Sequence, residues 1–335
     1  MSDPARILLP LDEGLLALPD GPILFIRPSA EIPQELAARE GFVCEQGFKP
    51  VADRLEARGF TVVPVAGGRF SGAMVELTRN RAENMANVAR ALRLVAPDGV
   101  VLVSGNKTDG VDSLLKAVRK VTDISGVLSK SHGKVFWLSG AVPAAFADWE
   151  AAAGPKRNPA GYLTAPGMFS PEKIDTGSEM LARYFDKSVK GAVADLGAGW
   201  GYLAQQALAA CDRIETLDLY EAEYSALEAA RTNVIDPRAR FHWADVSALG
   251  KPATPYQTVI SNPPFHQSRA AEPSIGIGFI AAAARILKPS GQFLMVANRQ
   301  LPYETALEAH FKHWEILEQD RAFKVVRARR PKAAR

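Results

Sequence analysis

Two fourteen-residue stretches of this chain match without a gap at a constant offset of 192. Residues 94–107 read LVAPDGVVLVSGNK and residues 286–299 read ILKPSGQFLMVANR, so that Pro97 aligns with Pro289, Gly99 with Gly291, Leu102 with Leu294 and Asn106 with Asn298. Each stretch carries the end of a helical pattern, a Pro-x-Gly turn, a short apolar strand and a polar exit. An Ala-rich amphipathic segment precedes each, Met85 to Leu94 and Phe279 to Leu287. A unit that recurs this way within 335 residues, about twice the usual domain of ~100–200 residues, predicts a duplicated α/β domain.

Pro and Gly cluster at Gly154, Pro155, Pro159, Gly161, Pro166 and Gly167. The join is expected there, dividing the chain into residues 1–157 and 158–335. The second half then alternates strand and helix cues. Gly191–Leu196, Ile214–Tyr220, Arg240–Trp243 and Thr258–Ser261 read as strands, and Tyr202–Ala210 and Ala222–Asn233 as helices. That alternation implies a mostly parallel sheet covered on both faces.

The turn after the first of these strands is Asp195-Leu196-Gly197-Ala198-Gly199-Trp200-Gly201. Glycines let a backbone pass closely under a ligand and take up positive φ. A dinucleotide fingerprint requires its third glycine at position 202, which is Tyr202. The D-x-G-x-G-x-G form, with the glycine at 201 and an acid ahead, suits S-adenosylmethionine better than a pyrophosphate-bearing cofactor. Residues expected to line that cofactor are Asp195, Gly197, Ala198, Gly199 and Gly201. A carboxylate at the end of the next strand grips ribose hydroxyls in related folds, and here two acids compete, Glu221 and Asp218. Asp245 is placed either to accept from an adenine amino group, with Val246 beside the ring, or to cap the turn that follows.

Ser261-Asn262-Pro263-Pro264-Phe265 follows the strand ending at Ile260. Two prolines fix φ and remove two backbone donors, so the turn is rigid. The Asn262 side chain and the Pro263 carbonyl become two fixed acceptors for an exocyclic amine, and Phe265 can stack on the ring that bears it. Methyl transfer from a sulfonium is an in-line displacement in which placement is most of the task. The lack of a His or Glu in the tetrapeptide therefore fits the chemistry. Asn262, Pro263 and Phe265 are the expected catalytic set, with Asn262 also beside the cofactor.

These residues, together with Pro166–Ser170, Ile174–Ser178, His266, Ala297-Asn298, Leu301–Tyr303 and Phe323–Val325, resemble the class I S-adenosylmethionine-dependent methyltransferases of the small-domain group. More closely they resemble the ribosomal RNA guanine-N2 methyltransferases of the RsmC/RlmG type. The resemblance implies an α/β fold of two tandem Rossmann-like class I methyltransferase domains, the N-terminal one degenerate and serving RNA binding or structural support. The first half indeed has neither a matching Gly-rich turn nor an Asn-Pro-Pro sequence. The resemblance also implies transfer to the N2 amine of a guanine in ribosomal RNA, with S-adenosylhomocysteine as product. It places the segment from Phe169 to Ser178 over the cofactor, with Asp175, Gly177 and Ser178 nearby. The spacing after the second-strand acid departs from the family pattern, which leaves Glu221 and Asp218 as alternatives. Two rival functions keep the fold: methylation of another planar amine (adenine N6 or a protein glutamine), and RNA binding without catalysis.

The expected partner is ribosomal RNA or a ribosomal subunit, yet the net charge is only +3, so any RNA contact must be local. Arg321, Lys324, Arg327, Arg329, Arg330, Lys332 and Arg335 form an acid-free basic tail, either an RNA contact or a solubilising end. Arg79, Arg81, Lys107, Lys116, Arg119 and Lys120 could extend it or simply form a solvated face. The five histidines show no metal-ligand spacing, so no metal is expected. Two cysteines, no run near the ~18 apolar residues of a membrane span and no signal-peptide pattern point to a cytoplasmic protein away from membranes, and a monomer is the expected state.

Overall fold

The computed structural model describes residues 3–139, 144–264 and 273–332. The chain forms two compact units, Met1–Pro155 with Ala165–Gly167, and Lys156–Thr164 with Met168–Arg335. The first unit opens on a single turn, α1 (Leu9–Asp12), and contains strands β1 (Ile23–Ile26), β2 (Phe42–Glu45), β3 (Thr61–Val63), β4 (Phe70–Glu76), β5 (Val95–Asn106), β6 (Gly126–Lys130) and β7 (Gly133–Ser139). Helices α2 (Lys49–Ala57), α3 (Arg81–Leu94), α4 (Val111–Val118) and α5 (Ala145–Ala152) accompany them. The sheet order is β3-β2-β1-β4-β5-β7-β6, with the first five strands parallel and β7 running antiparallel between β5 and β6.

The second unit starts with a small hairpin, β8 (Lys156–Arg157) and β9 (Leu163–Thr164), and helix α6 (Thr176–Ala182). Its sheet strands are β10 (Gly191–Leu196), β11 (Ile214–Glu221), β12 (Ala239–Trp243), β13 (Tyr256–Ser261), β14 (Leu287–Asn298), β15 (Phe311–Gln319) and β16 (Phe323–Pro331). Helices α7 (Tyr202–Ala210), α8 (Tyr224–Asn233), α9 (Pro273–Ile286) and α10 (Glu304–His310) complete it. The order β12-β11-β10-β13-β14-β16-β15 repeats that of the first sheet strand for strand. Both are Rossmann-like α/β units.

The central strands, such as β1, β4, β13 and β14, are buried on both faces because helices cover both, while the edge strands β3, β6 and β15 are partly exposed. Along β14, Leu294 and Val296 belong to one core and Phe293 and Met295 to the other, the period of two that a strand imposes. In the first unit Ile23 and Phe25 point to one side, Leu24 and Ile26 to the other.

The repeated segments are structurally equivalent down to their burial, which reads the same residue by residue in β5 and β14. One expectation changes. The Pro-x-Gly motif does not turn the chain between helix and strand, since α3 runs directly into β5 and α9 into β14. It forms a bulge inside the strand instead. Phe70 pairs with Val95 and Gly72 with Val100, and likewise Tyr256 pairs with Leu287 and Thr258 with Gln292. The proline, which cannot donate to a ladder, sits in the unpaired part. The basic tail is a second correction. Residues 323–331 are β16, paired on both sides by β14 and β15. No helix among the described residues is long and apolar enough to cross a membrane.

Candidate functional site

Parallel strands leave their C-terminal ends, and the loops that follow, along one rim of the sheet, where α/β folds place ligands. The register sets that rim in the second unit. Leu196 pairs with Ser261 across β10 and β13, and with Tyr220 across β10 and β11. The Gly-rich turn, Glu221 and Asn262 are therefore neighbours. The Ser261 hydroxyl donates to the Leu196 carbonyl at 2.7 Å, tying the two strand ends together.

Gly197, Gly199 and Gly201 all have left-handed backbone, at φ 71°, 55° and 91°. They differ in what a side chain would meet. A Cβ on Gly201 would come within 2.7 Å of Val234, whereas one on Gly199 would project into open space. Gly201 is thus required for helix packing, whereas Gly199 borders open space at the rim.

Beneath the turn, Asp195 is completely buried and its oxygens accept no hydrogen bond of normal geometry among the described residues. Burial, and then the neighbouring Glu221 charge, push its carboxyl up to about 8, with the Ala204 amide giving weak relief. A buried carboxylate without a partner is costly. It is the kind of group a cationic ligand would satisfy. Glu221 sits at the strand exit, where Oε2 accepts from the Gly199 amide at 2.7 Å and Oε1 from the Glu223 amide at 2.8 Å. Burial raises its pKa too, against those backbone bonds.

Asp218 is engaged elsewhere. Its Oδ1 lies 2.6 Å from His242 Nε2, and its Oδ2 accepts from the Tyr256 hydroxyl at 3.0 Å. Burial opposes its ionisation, but these bonds outweigh it and hold the carboxyl below the usual range. Three residues short of the strand end and enclosed by partners, Asp218 is remote from the rim. Asp245 caps the short 3-10 helix Val246–Ala248, its Oδ1 accepting from the Ser247 amide at 2.8 Å and hydroxyl at 2.7 Å, and Val246 is buried below it.

Asp175 caps α6, with Oδ2 accepting from the Ser178 amide at 2.8 Å. The Asn262 Nδ2 donates to that same oxygen at 3.0 Å and to Ser178 Oγ at 2.8 Å. Gly177 lets α6 close on β16: a Cβ there would come within 3.0 Å of both the Phe323 ring and Asp175 Oδ2. The structure thus gathers Asp175, Gly177 and Ser178 around Asn262. Phe265 and His266 lie outside the described residues.

Several contacts at the rim carried no sequence signal. Trp200 Nε1 donates to the Phe169 carbonyl at 2.8 Å, and the Phe169 ring is 51% exposed. Asn233 Nδ2 bridges the Trp200 and Leu163 carbonyls, both at 2.9 Å, fastening the β8–β9 hairpin beside the turn. Such bonds join residues distant in sequence and have no spacing rule to betray them.

The basic residues are rearranged by β16. Phe323 pairs with Asn298 at the rim, while Arg329 pairs with Gln292, six positions and so roughly 20 Å away along the strand. Lys324 is buried, donating to the Leu301 carbonyl at 2.8 Å and to Glu304 at 2.5 Å. Arg327 faces Glu315 at 3.9 Å. Among the described residues, exposed cations on the rim loops include Lys173, Arg299 and Arg321. Arg335 lies outside the described residues.

Residues 160–327 match the family model described as methyltransferase small domain. A Pseudoalteromonas atlantica protein named ribosomal RNA small subunit methyltransferase C is 26% identical over 275 residues, 78% of each chain. A Shewanella halifaxensis protein of the same name is 29% identical over 249 residues, 70% of each chain. Among solved structures, the T. thermophilus 16S rRNA N2 G1207 methyltransferase (RsmC), in complex with AdoMet and guanosine, matches with a TM-score of 0.78. It covers 98% of this chain and 92% of its own at 22% identity, a likeness of fold.

Proposed function

We propose that this chain, which belongs to the methyltransferase small-domain family, transfers a methyl group from S-adenosylmethionine to the exocyclic N2 amine of a guanine in ribosomal RNA. One observation carries the reading: the register that pairs Leu196 with Ser261 sets the Asn-Pro-Pro turn directly beside the Gly-rich turn, where Gly199 borders open space. The names of the relatives support the choice of ribosomal RNA.

The cofactor, when bound, supplies a methyl group on a positively charged sulfur. The residues on the rim fit it: Asp195 is a buried carboxylate in need of a cation, Gly199 leaves room, and Glu221 retains lone pairs for ribose hydroxyls. Glu221 is the ribose ligand in this reading and Asp218 is not. Asp245 and Val246 stand where the next strand ends, suited to the base.

Asn262 Oδ1 and the Pro263 carbonyl accept the two hydrogens of the amine and fix its nitrogen. Holding the nucleophile in place supplies most of the acceleration, and the proton departs after the new bond has formed, so no strong base is required. Phe169, Lys173, Arg299 and Arg321 provide an aromatic and cationic margin for RNA around that point.

The test is to offer methyl-labelled S-adenosylmethionine with small ribosomal subunits, naked 16S rRNA, duplex DNA and a release factor. The expected result is label in RNA, recovered as N2-methylguanosine after digestion to nucleosides. Label in DNA or protein alone, or no label with cofactor still bound, overturns it.

A further inference from the structure

The Asn262 carboxamide has two faces of opposite polarity, and the site works only if the correct one points outward. Asp175 Oδ2 is a carboxylate oxygen and can only accept, so the contact at 3.0 Å must come from Asn262 nitrogen. Ser178 Oγ takes the second hydrogen at 2.8 Å. Both N–H groups of the amide are then engaged by α6, and Oδ1 is what remains for a ligand. We infer that Asp175 and Ser178 are positioning residues, which lock the Asn262 amide with its oxygen facing the incoming amine.

This rests on the reading above that Asn262 receives that amine. It gives two residues expected beside the cofactor a different role. The lock is itself held. Asp175 is anchored by capping α6 through the same Oδ2, with the Ser178 amide at 2.8 Å. Ser178 is buried at 7% exposure. Gly177 between them allows the first turn of α6 to sit against Phe323, where any Cβ would be crowded. On the other side, Pro263 and Pro264 stiffen the backbone that carries Asn262. A flipped amide would set Oδ1 against the Asp175 carboxylate, replacing a hydrogen bond by a repulsion between two acceptors, while the Ser178 hydroxyl would only reverse from acceptor to donor. Asp175 therefore decides the orientation and Ser178 fastens it.

The consequence is selectivity between edges of a base. A site offering only oxygens accepts an amine and rejects a carbonyl. For guanine that separates N2 from O6. Such discrimination is strong where a buried polar group would otherwise be left unpaired.

Three variants test it: Ser178→Ala, Asn262→Ala and the double variant, each assayed for cofactor affinity by calorimetry and for single-turnover methyl transfer to small subunits at saturating S-adenosylmethionine. Ser178→Ala should lower the transfer rate about tenfold, the effect of removing one hydrogen bond, and leave the cofactor Kd within about threefold. Added to Asn262→Ala it should cost nothing further, the coupling of residues that act as one unit. A tenfold weaker cofactor Kd with an unchanged rate, or an equal rate loss in both backgrounds, overturns the proposal. A substrate-independent arm uses 15N NMR of the Asn262 side-chain amide, assigned by its disappearance in Asn262→Ala. Its protons should exchange slowly in the wild-type chain and about tenfold faster in Ser178→Ala. Equal exchange in both sinks the lock. If the wild-type chain methylates no RNA, the proposed function fails, while this measurement still decides the orientation of Asn262.

Discussion

The two sheets have the same strand order but opposite rims. Superposing them by register sets Phe25 of the first unit where the second has Asp195, Arg27 where it has Gly197, Gln46 where it has Glu221, and Glu76 where it has Asn262. The backbone is preserved to the hydrogen bond: the amide of Arg27 donates to Glu45 and that of Gly197 to Tyr220, both at 2.9 Å. Gln46 Oε1 accepts from Phe48 two residues on, as Glu221 does from Glu223. What differs is occupancy. Arg27 holds the left-handed conformation at φ 58° without being glycine, and its side chain fills the space, bonded to Glu83 at 2.6 Å and Gln46 at 3.1 Å. The helix that should follow the turn is reduced to the 3-10 segment Gln34–Ala38. On the first rim Arg27, Gln46 and Glu83 engage one another. The second leaves the buried Asp195 carboxyl without a partner among the described residues and open space beside Gly199, which is the cost of being able to bind.

The largest test of that contrast moves one residue across. Gly197→Arg should abolish cofactor binding, weakening it by more than about a hundredfold, or ~3 kcal/mol, while the second unit still folds; calorimetry that finds near-native affinity would break the comparison.

Asp195→Asn comes next. The native pKa of Asp195, about 8, lies above its ordinary value of 3.8. Between those values the folded chain holds a proton that the unfolded chain has released, so stability falls as pH rises through the window. The variant should bind cofactor about tenfold more weakly or worse, yet melt a few degrees (roughly 3 °C) higher above pH 8. That gain should vanish near pH 4. Calorimetry at pH 7 in buffers of differing ionisation enthalpy should also detect release of about one proton per cofactor bound as Asp195 ionises against a cation. An Asp195→Asn chain that melts lower at pH 9 would contradict the orphaned-carboxylate account.

In the first unit, Arg27→Ala leaves Glu83, at 21% exposure, without its cationic partner, with only the Thr78 hydroxyl still donating to it among the described residues. It should cost about 2 kcal/mol of stability but leave cofactor Kd and transfer rate unchanged; a changed Kd would show that the first rim is not merely self-filled. The smallest effect concerns RNA. Arg299→Ala and Arg321→Ala should each reduce the salt slope of RNA binding by about one, the effect of one fewer neutralised phosphate. The same change at Arg330 or Lys332, at the end of β16 far from the rim, should leave the slope unaltered.

Much of this was legible in the chain itself. The offset repeat, the Gly-rich turn and the Asn-Pro-Pro turn are short-range patterns set by backbone sterics: φ at glycine, fixed φ at proline, and the period of two in a buried strand. Strand identities followed for the same reason. The Pro-x-Gly bulge reads as a turn in sequence because local pattern does not say whether a neighbouring strand resumes pairing beyond it. Asp218 and Glu221 could not be separated, since both lie near one strand end and only the positions of His242 and Tyr256 claim the first.

What the sequence determined by itself was a duplication with an intact copy and an altered one, because motifs of a few residues encode their own local geometry. Tertiary structure alone decided which polar groups meet. It brought Asn262 to Asp175, 87 residues away, and filled the first rim with Arg27. It also turned a run of cations into a strand whose basic end lies far from the site. Hydrogen bonds and charges act over a few ångströms, and only the closed sheet fixes which distant residues come within that reach.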